Sequence, residues 1–352
     1  MTLLLSNEDV AACVTMGDCI EAVARTYVAS LSNRSGFRSR STFWTPLGPG
    51  RRHNLASLEG VGMDEGVAAI RIRSDVNATS GSGGLEQDNK YASRPGLFCG
   101  LILLFDLTTG EPLAILNDGL LQQMRVAATS AIAANHMARS DSRTLGLIGS
   151  GYQARAHAQA FVSSHPIEQI YVFSPRPERR QRLAEELGDE LDVEVESVDS
   201  VSAILRSADI VATCTNARAP VLDNEELRPG THLTSVRHWA EIDPSIFDEA
   251  RVVLHQDGEE QDIVLGTEEE RRKSHSPSST RTPHPPGLPT LIDLIGEKAV
   301  GRSTSDELTY FLNNRGTGLQ FVAVGALAYR EALQRGLGRD LPTEWFLQST
   351  SS

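Results

Sequence analysis

The stretch TLGLIGSGYQARAHAQAF, residues 144–161, decides the fold. Its apolar run has the length of a buried strand, glycines follow at positions 149 and 151, and a helical pattern begins at Tyr152. In a dinucleotide-binding turn the first glycine permits the tight bend and the second lets a pyrophosphate approach the backbone. The third small residue, here Ala154, lets the helix pack on the strand. The residues expected to contact the cofactor are Gly149, Ser150, Gly151, Tyr152, Gln153 and Ala154.

The segments around this turn favour a dinucleotide site over a plain strand-turn-helix. Strand-like and helix-like runs alternate from about residue 120 to 255, which predicts a doubly wound parallel sheet of the Rossmann type. Residues 37–117 carry short β-rich runs and predict an antiparallel sheet, with a surface loop over the Gly- and Ser-rich span 77–96. Helical spacing predicts one helix over 7–32. The expected fold class is therefore α/β, a doubly wound parallel sheet joined to an α+β unit.

Length and charge indicate the number of domains and exclude some kinds of binding partner. The chain has 352 residues, more than one compact core usually holds, which predicts two domains. A formal net charge of -13 argues against a nucleic-acid partner, because phosphate binding needs a basic face. The cysteines and histidines form no metal-ligand motif, no apolar run reaches transmembrane length, and the N-terminus lacks the basic flank of a signal peptide. These features predict a cytoplasmic protein with no metal and no membrane partner.

The end of the second strand bears on the choice of nicotinamide cofactor. Rossmann domains that bind NAD(H) usually place an acidic residue there for the ribose 2′-hydroxyl. This chain has Ser174, Pro175 and Arg176 instead, and arginines follow at 179 and 180. A hydroxyl and arginines suit a 2′-phosphate, so the sequence predicts NADP(H) as the preferred cofactor. NAD(H) is the alternative, in which the arginines only begin a solvated helix.

Three further stretches resemble the ornithine cyclodeaminase/mu-crystallin family. They are EPLAILNDGLLQQMRVAATSAIAANHMA (111–138), PVLDNEELRPGTHLTSV (220–236) and EIDPSIFDEARVVL (241–254). The likeness runs from about residue 50 to 340 and is strongest to a branch named after a component of tyramine oxidase. It implies a homodimer whose subunits have two domains. Residues 1–122 with 315–352 would bind substrate and dimerise, and 123–314 would form the Rossmann NAD(P)-binding domain.

The resemblance also implies roles for individual residues. Members share hydride exchange at the α-carbon of an amino or imino acid. Arg125 matches the arginine that pairs with the substrate carboxylate, although a structural ion pair would be the alternative for this side chain. Arg71 falls where the family has a lysine, and Arg73 lies two residues on, on the same strand face. An arginine can hold a carboxylate but is a poor general base.

One departure from the family pattern concerns the proton donor. Cyclodeaminases carry an aspartate after the strand that ends at Val236, and here Arg237 and His238 follow. We therefore expect His238, Lys90 or water to supply the proton. The further residues that the resemblance places at the substrate are Glu59 and Arg315. Those that it places at the cofactor are Thr213, Cys214, Thr215, Asn216, Val236, Asn314 and Gly316.

These observations lead to one expected function and two alternatives. The sequence predicts an NAD(P)H-dependent oxidoreductase that acts on the C–N bond of an α-imino or amino acid, of the imine reductase or amino-acid dehydrogenase type. One alternative is an ammonia-releasing amino-acid cyclodeaminase, which the missing aspartate disfavours. The other is a non-catalytic NADPH-binding subunit.

Overall fold

The computed structural model describes most of the chain. The described residues are 1–80, 87–94, 96–217, 219–236, 241–258, 260–274 and 284–350. In chain order their strands are β1 Thr2–Leu5, β2 Ser35–Phe37, β3 Ser41–Pro46, β4 Arg51–Gly62, β5 Val67–Ser80, β6 Gln87–Tyr91, β7 Gly100–Asp106, β8 Pro112–Asn117, β9 Thr144–Ile148, β10 Gln169–Phe173, β11 Glu194–Ser197, β12 Ile210–Thr213, β13 His232–Ser235, β14 Arg251–Leu254, β15 Gln261–Val264, β16 Thr309–Leu312 and β17 Arg339–Leu341. Their helices are α1 Asn7–Cys13, α2 Met16–Ser30, α3 Gly119–Met137, α4 Tyr152–Ser164, α5 Pro177–Glu190, α6 Val201–Leu205, α7 Ile246–Glu249, α8 Glu268–Ser274, α9 Leu291–Ile295 and α10 Gly318–Arg335.

The strands form two sheets. The first is mostly antiparallel and has the order β15-β3-β4-β5-β7-β8-β1-β17, with β2 paired to β4 and β6 paired to β5. The second has the order β11-β10-β9-β12-β13-β16-β14, and its described pairs are all parallel. The predicted α/β class is therefore confirmed. Strand β9 stands in the middle of the second sheet, where the chain order reverses and where dinucleotides bind in such folds.

Helix α3 packs against α2, α4, α10 and β16. Its middle and end are rich in alanine, and nearly all of its residues from Met124 to Ala134 are buried. Small side chains allow this close packing on several sides, because they let neighbouring backbones approach. The buried helix fixes the position of the polar residues in its first two turns.

The start of α10 lies directly against β4. A Cβ added at Gly318 would lie 1.9 Å from the Glu59 carbonyl oxygen, and one at Gly60 would lie 2.6 Å from the Gly318 carbonyl carbon. Only glycine fits at such a backbone contact. The contact places the first turn of α10 under the centre of the first sheet.

Three details differ from the sequence predictions. The helix predicted over 7–32 is divided at Thr15, whose side chain accepts a hydrogen bond from the Asp18 backbone and starts α2. The predicted loop over 77–96 contains β6, because the β4–β5 hairpin extends far enough for a third strand to pair with Val76–Ser80. Strand β15 lies within the range predicted for the Rossmann domain, yet it pairs with β3 of the first sheet.

Among the described residues, no helix combines the length and apolar composition needed to cross a bilayer. The same residues contain no group of three or more His, Cys, Asp and Glu side chains arranged to hold a metal ion.

Candidate active site

The turn between β9 and α4 has the geometry of a phosphate cradle. Gly149 has φ of 130°, and a Cβ there would lie 2.5 Å from the Cys214 carbonyl oxygen, so this position requires glycine. Gly151 is the N-cap of α4, makes no side-chain cap, and would have nothing within 4 Å of an added Cβ. The free N–H groups of a helix start attract a phosphate. These residues fit a dinucleotide, with Tyr152 exposed and Ala154 fully buried against the sheet.

The loop after β10 lies beside this cradle. Ser150 Oγ donates to Ser174 Oγ at 3.0 Å, which joins the two loops. Arg180 is buried, donates to the Ser174 carbonyl oxygen at 3.0 Å and forms an ion pair with Asp199. Its role is therefore structural. The sequence analysis had grouped Arg180 with the arginines expected to bind the 2′-phosphate of NADP(H), and the structure corrects this. Pro175, Arg176 and Arg179 remain exposed.

The loop after β12 is held by a buried glutamate. Glu241 Oε2 accepts from Thr213 Oγ1 at 3.2 Å, and Oε1 accepts from the Thr215 backbone N–H at 2.9 Å. Burial raises the pKa of the Cys214 thiol well above its usual value, so this residue is an inert part of the wall. The sequence analysis gave Glu241 no role in the site, because nothing close to it in the chain indicates that it folds back onto the threonines.

Three other predicted cofactor residues line the same edge of the sheet. Asn216 is exposed, and Val236 and Asn314 are half-buried. Each follows a different parallel strand at its carboxyl end, namely β12, β13 and β16. Gln153, in the first turn of α4, has a buried Oε1 with no hydrogen-bond partner among the described residues.

Arg125 is buried in the second turn of α3. Its Nη1 donates to Gln320 Oε1 at 2.7 Å, and its Nε and Nη2 donate to Gln122 Oε1 at 3.2 and 2.9 Å. Burial, together with the positive charge of Arg71, lowers the pKa of Arg125 to about 9. The guanidinium is therefore still charged at neutral pH, and Gly316 lies so close that an added Cβ would be 2.5 Å from Nη1.

Arg71 is also buried, and it forms an ion pair with a carboxylate that the sequence did not single out. Its Nε lies 2.5 Å from Asp118 Oδ2, and the two side chains are 3% and 0% exposed. The Arg71 guanidinium also lies 5.7 Å from the ring of Phe98 and 5.5 Å from the ring of Phe321. The same Phe321 ring lies 5.1 Å from the Arg125 guanidinium, so one aromatic side chain borders both arginines.

Arg73, on β5, is a third member of the group formed with Arg125 and Arg71, which is called the arginine cluster. Its Nε lies 3.1 Å from Asp75 Oδ2 and donates to Asn54 Oδ1 at 3.1 Å. Burial lowers its pKa to about 10. A fourth arginine, Arg40, forms an ion pair with Glu260 at 2.5 Å and lies close enough for its charge to contribute to the lowered pKa of Arg73. The sequence analysis did not single it out.

A buried Tyr–His pair lies behind Arg125. Tyr27 Oη and His255 Nε2 are 2.5 Å apart. Burial raises the pKa of Tyr27 to about 12, and burial with the charge of Arg125 lowers that of His255 to about 3. Both side chains are therefore neutral at physiological pH and support the arginine without adding charge.

The structure does not bring all predicted site residues together. Glu59 faces the other side of β4 from the residues beside Arg71, and it forms an ion pair with Arg38 at 2.9 Å. Lys90 is exposed on β6, and Arg315 donates to the Gly258 carbonyl oxygen. His238 lies outside the described residues.

Comparison with known proteins agrees with this geometry. The family model described as the ornithine cyclodeaminase/mu-crystallin family matches residues 82–333. The chain is 28% identical to a Delta(1)-pyrroline-2-carboxylate reductase of Bacillus cereus over 68% of this chain and 73% of that protein. It is 29% identical to an iminosuccinate reductase of Paracoccus denitrificans over 68% and 72%.

A solved structure shares the fold over nearly the whole length. It is that of Thermococcus litoralis Delta(1)-pyrroline-2-carboxylate reductase in complex with NADH and L-proline. The TM-score is 0.78 at 24% identity, with 97% of this chain and 100% of that chain covered. Together with the family match over most of the chain, this shows that the protein belongs to the ornithine cyclodeaminase/mu-crystallin family.

Proposed function

We propose that the chain is an NAD(P)H-dependent oxidoreductase that reduces the C=N bond of an α-imino acid to the amino acid, or catalyses the reverse reaction. The observation that carries the proposal is Arg125. Among the described residues, its side chain bonds to two amides and to no carboxylate, so its charge is available to a carboxylate ligand. Gly316, which touches it, lies four residues beyond the carboxyl end of β16, at the edge of the sheet where dinucleotides bind.

The chemistry is divided between the cofactor and the protein. When bound, the reduced nicotinamide supplies a hydride. Arg125 holds the substrate carboxylate and thereby orients the α-carbon, and the ring of Phe321 excludes water from one side of the arginines. The relatives named as reductases of Delta(1)-pyrroline-2-carboxylate and iminosuccinate support an imino acid as the substrate class.

Turnover of a substrate panel tests this proposal. The purified protein is mixed with NADPH or NADH and with cyclic imino acids or with keto acids plus ammonia, and the absorbance of the reduced coenzyme is followed. We expect coenzyme oxidation with at least one imino acid. Release of ammonia from a diamino acid without net coenzyme consumption would indicate a cyclodeaminase instead. Tight coenzyme binding with no turnover would indicate a binding subunit, and either outcome would overturn the proposal.

We propose NADP(H) as the preferred cofactor. Ser174 at the end of β10 faces the cradle through Ser150, and two exposed arginines, Arg176 and Arg179, follow it. None of these groups would repel a 2′-phosphate, and guanidinium groups bind phosphate well.

We also propose that the protein acts as a homodimer. The face of the first sheet opposite Arg71 carries exposed apolar side chains: Ile263, Phe43 and Leu55 are neighbours across β15, β3 and β4, and Leu101 lies on the same face beyond β5. A contiguous apolar face of this kind marks an interface. The proposal keeps the division into a substrate-binding and dimerisation domain and a Rossmann domain, with β15 assigned to the former. The cysteines within the described residues are free thiols, which supports a reducing, cytoplasmic location.

A further inference from the structure

The arginine cluster contains one cation more than its ion pairs balance. Arg71 is paired with Asp118 and Arg73 with Asp75, whereas the described partners of Arg125 are amides. An unbalanced buried cation predicts an anionic ligand group. The opposite charge in the cluster, the carboxylate of Asp118, is also incompletely compensated.

Asp118 has one oxygen bound and one without a donor. Oδ2 receives the Arg71 contact at 2.5 Å, and Oδ1 is buried with no hydrogen-bond partner among the described residues. A buried carboxylate oxygen without a donor is costly, and a ligand that donates a hydrogen bond removes this cost. The room for this carboxylate comes from Gly100, where an added Cβ would lie 2.0 Å from Oδ1.

The local sequence explains why Asp118 does not cap helix α3. Asp118 is the N-cap of α3, where an aspartate normally accepts from the helix backbone, but its side chain makes no such bond. Asn117 Oδ1 accepts from the Gly119 N–H at 2.8 Å, and Asn7 Oδ1 accepts from the Leu120 N–H at 3.0 Å. Two neighbouring amides therefore satisfy the helix start and leave the carboxylate to the cluster.

Asp118 and Arg125 belong to the same helix. They are seven residues apart, which is about two turns and about 10 Å along the axis, so both lie on one face of α3. Arg71 contacts Asp118, and the ring of Phe321 borders both Arg71 and Arg125. The cation without an anion and the oxygen without a donor therefore belong to one buried group of side chains around Arg71 and Phe321.

We propose that Asp118 Oδ1 accepts a hydrogen bond from the protonated imine nitrogen of the substrate while Arg125 holds its carboxylate. This assignment rests on the proposed function, and it makes Asp118 a catalytic residue. In reduction the imine carbon gains the hydride from the coenzyme, and the C=N π electrons become a lone pair on nitrogen. The nitrogen keeps the proton it already carries, and the ammonium product forms by taking one proton from solvent. Asp118 exchanges no proton in this step, and its carboxylate, held by Arg71, stabilises the cation that accepts the hydride.

The arrangement defines a substrate class. The ligand must have a carboxylate and a cationic N–H attached to the same carbon, as protonated cyclic and primary α-imino acids and their amino acid products have. A carboxylic acid of the same shape without nitrogen leaves Oδ1 without a donor. Charge-assisted hydrogen bonds contribute about 1.5–3 kcal/mol, so the nitrogen is expected to improve binding about 10- to 150-fold.

Binding of two matched pairs of ligands to the full chain, measured without coenzyme, tests this inference. The ligands are L-proline and cyclopentanecarboxylate, with L-alanine and isobutyrate as an acyclic pair. For the wild type we expect the amino acid of one pair to bind at least tenfold more tightly than its nitrogen-free analogue. In Asp118→Asn we expect this ratio to fall below about threefold, because the amino acid binds more weakly while the analogue binds as well or better beside the uncompensated Arg71.

Asp209→Asn is the matched control. Asp209 is a buried carboxylate directly before β12, paired with Arg139 at 2.6 Å and bound to the Thr144 hydroxyl. Its replacement should leave the ligand ratio unchanged. Equal weakening of both ligands in Asp118→Asn, or an unchanged ratio, would overturn the inference. Since a variant can fail to fold, the wild type provides an independent test: equal affinity for both members of each pair would also overturn it. These affinities are measured without turnover, so they are separate from failure of the proposed reaction.

Discussion

At the scale of the residue, the site is defined by how each buried charge is compensated. Three arginines have carboxylate partners within the cluster, and Arg125 has amide partners. A guanidinium held by Gln122 and Gln320 is oriented without being neutralised, so it can recognise a carboxylate through two parallel hydrogen bonds. This difference in partners is the reason for proposing Arg125, rather than the arginines paired with carboxylates, as the one that binds the ligand.

The geometry of that recognition gives the first prediction. Arg125→Lys keeps the charge but loses the planar fork, so we expect kcat/KM for the imino acid to fall about 30- to 150-fold, equivalent to about 2–3 kcal/mol. The KM for the coenzyme should stay within about twofold. The control is Arg25→Lys, which changes an exposed arginine of α2 in a weak pair with Glu21. Activity close to that of the wild type in Arg125→Lys would exclude its role as the carboxylate clamp.

A second prediction concerns the coenzyme. Arg176→Ala removes an exposed cation beside Ser174, and we expect the KM for NADPH to rise about tenfold while the KM for NADH stays unchanged. Arg182→Ala, in helix α5 directly after Arg176 but paired with Glu186, should change neither value. Steady-state kinetics with both coenzymes measure this effect. Equal changes for NADPH and NADH would show that Arg176 does not contact the 2′-phosphate.

At the scale of the element, the β9–α4 unit and helix α3 place the two halves of the site. The turn at Gly149 directs the start of α4 toward the cofactor, and α3 packs against α4 while it carries Arg125. His157 links these helices, because its Nδ1 lies 2.7 Å from the Gln153 carbonyl oxygen and its Nε2 lies 3.1 Å from Ser130 Oγ. The packing of the two helices therefore fixes the carboxylate clamp relative to the cradle.

Two neighbouring glycines are expected to respond differently to the same substitution. Gly149→Ala would introduce a side chain at φ of 130° and 2.5 Å from the Cys214 carbonyl oxygen, so we expect a loss of thermal stability and of coenzyme binding. Gly151→Ala meets no protein atom within 4 Å, so the fold should keep its melting temperature while coenzyme affinity falls. Calorimetry and coenzyme fluorescence distinguish the two. Unchanged coenzyme affinity in both variants would contradict the cradle.

The buried His157 makes stability depend on pH. Burial lowers its pKa to about 4 from the ordinary 6.5. Between these values the unfolded chain binds a proton here that the folded chain does not, so stability falls as pH falls from about 6.5 to about 4. His157→Gln should reduce the slope of the unfolding free energy in this window by up to about 1.4 kcal/mol per pH unit. Denaturant titrations at several pH values measure it, and an identical slope in the variant would contradict the assignment.

Elements defined by local sequence patterns could be predicted, whereas those that depend on contacts between distant segments could not. The glycine turn and the alternating pattern predicted the parallel sheet, because both depend on residues close together in the chain. The strand β15 was missed, since nothing within Gln261–Val264 indicates a partner more than two hundred residues away. Asp118, Arg40 and Glu241 were missed as site residues for the same reason: their burial and partners arise only when distant segments meet.

At the scale of the whole molecule, the first sheet has two different faces. One face carries the arginine cluster and packs on α10, and the other is apolar and partly exposed. A strand alternates its side chains between the two faces, so β5 can present Arg71 and Arg73 to the site and Ile70 and Ile72 to the opposite side. The same strand thus contributes to the arginine cluster on one face and to the proposed subunit contact on the other.

The dimer is tested on the apolar face. Leu55 is 41% exposed, and Leu55→Glu places a charge beside Phe43 on the apolar face. We expect size-exclusion chromatography with light scattering to give twice the chain mass for the wild type and the chain mass for the variant. Leu333→Glu, at an exposed position of α10, should remain dimeric. A wild-type protein that elutes as a monomer would exclude the proposed assembly.

The short connection between β14 and β15 restricts how the molecule can open. β14 belongs to the parallel sheet and β15 to the antiparallel one, and only the six positions 255–260 join them. A fully extended chain covers about 3.3–3.6 Å per residue, so this tether limits the gap between the two strand ends to roughly 20–25 Å. His255 and Glu260 at its two ends are both anchored to the site, by Tyr27 and Arg40. Any relative movement of the two sheets is therefore limited at this connection to about that distance, so the sheets cannot separate as independent bodies here.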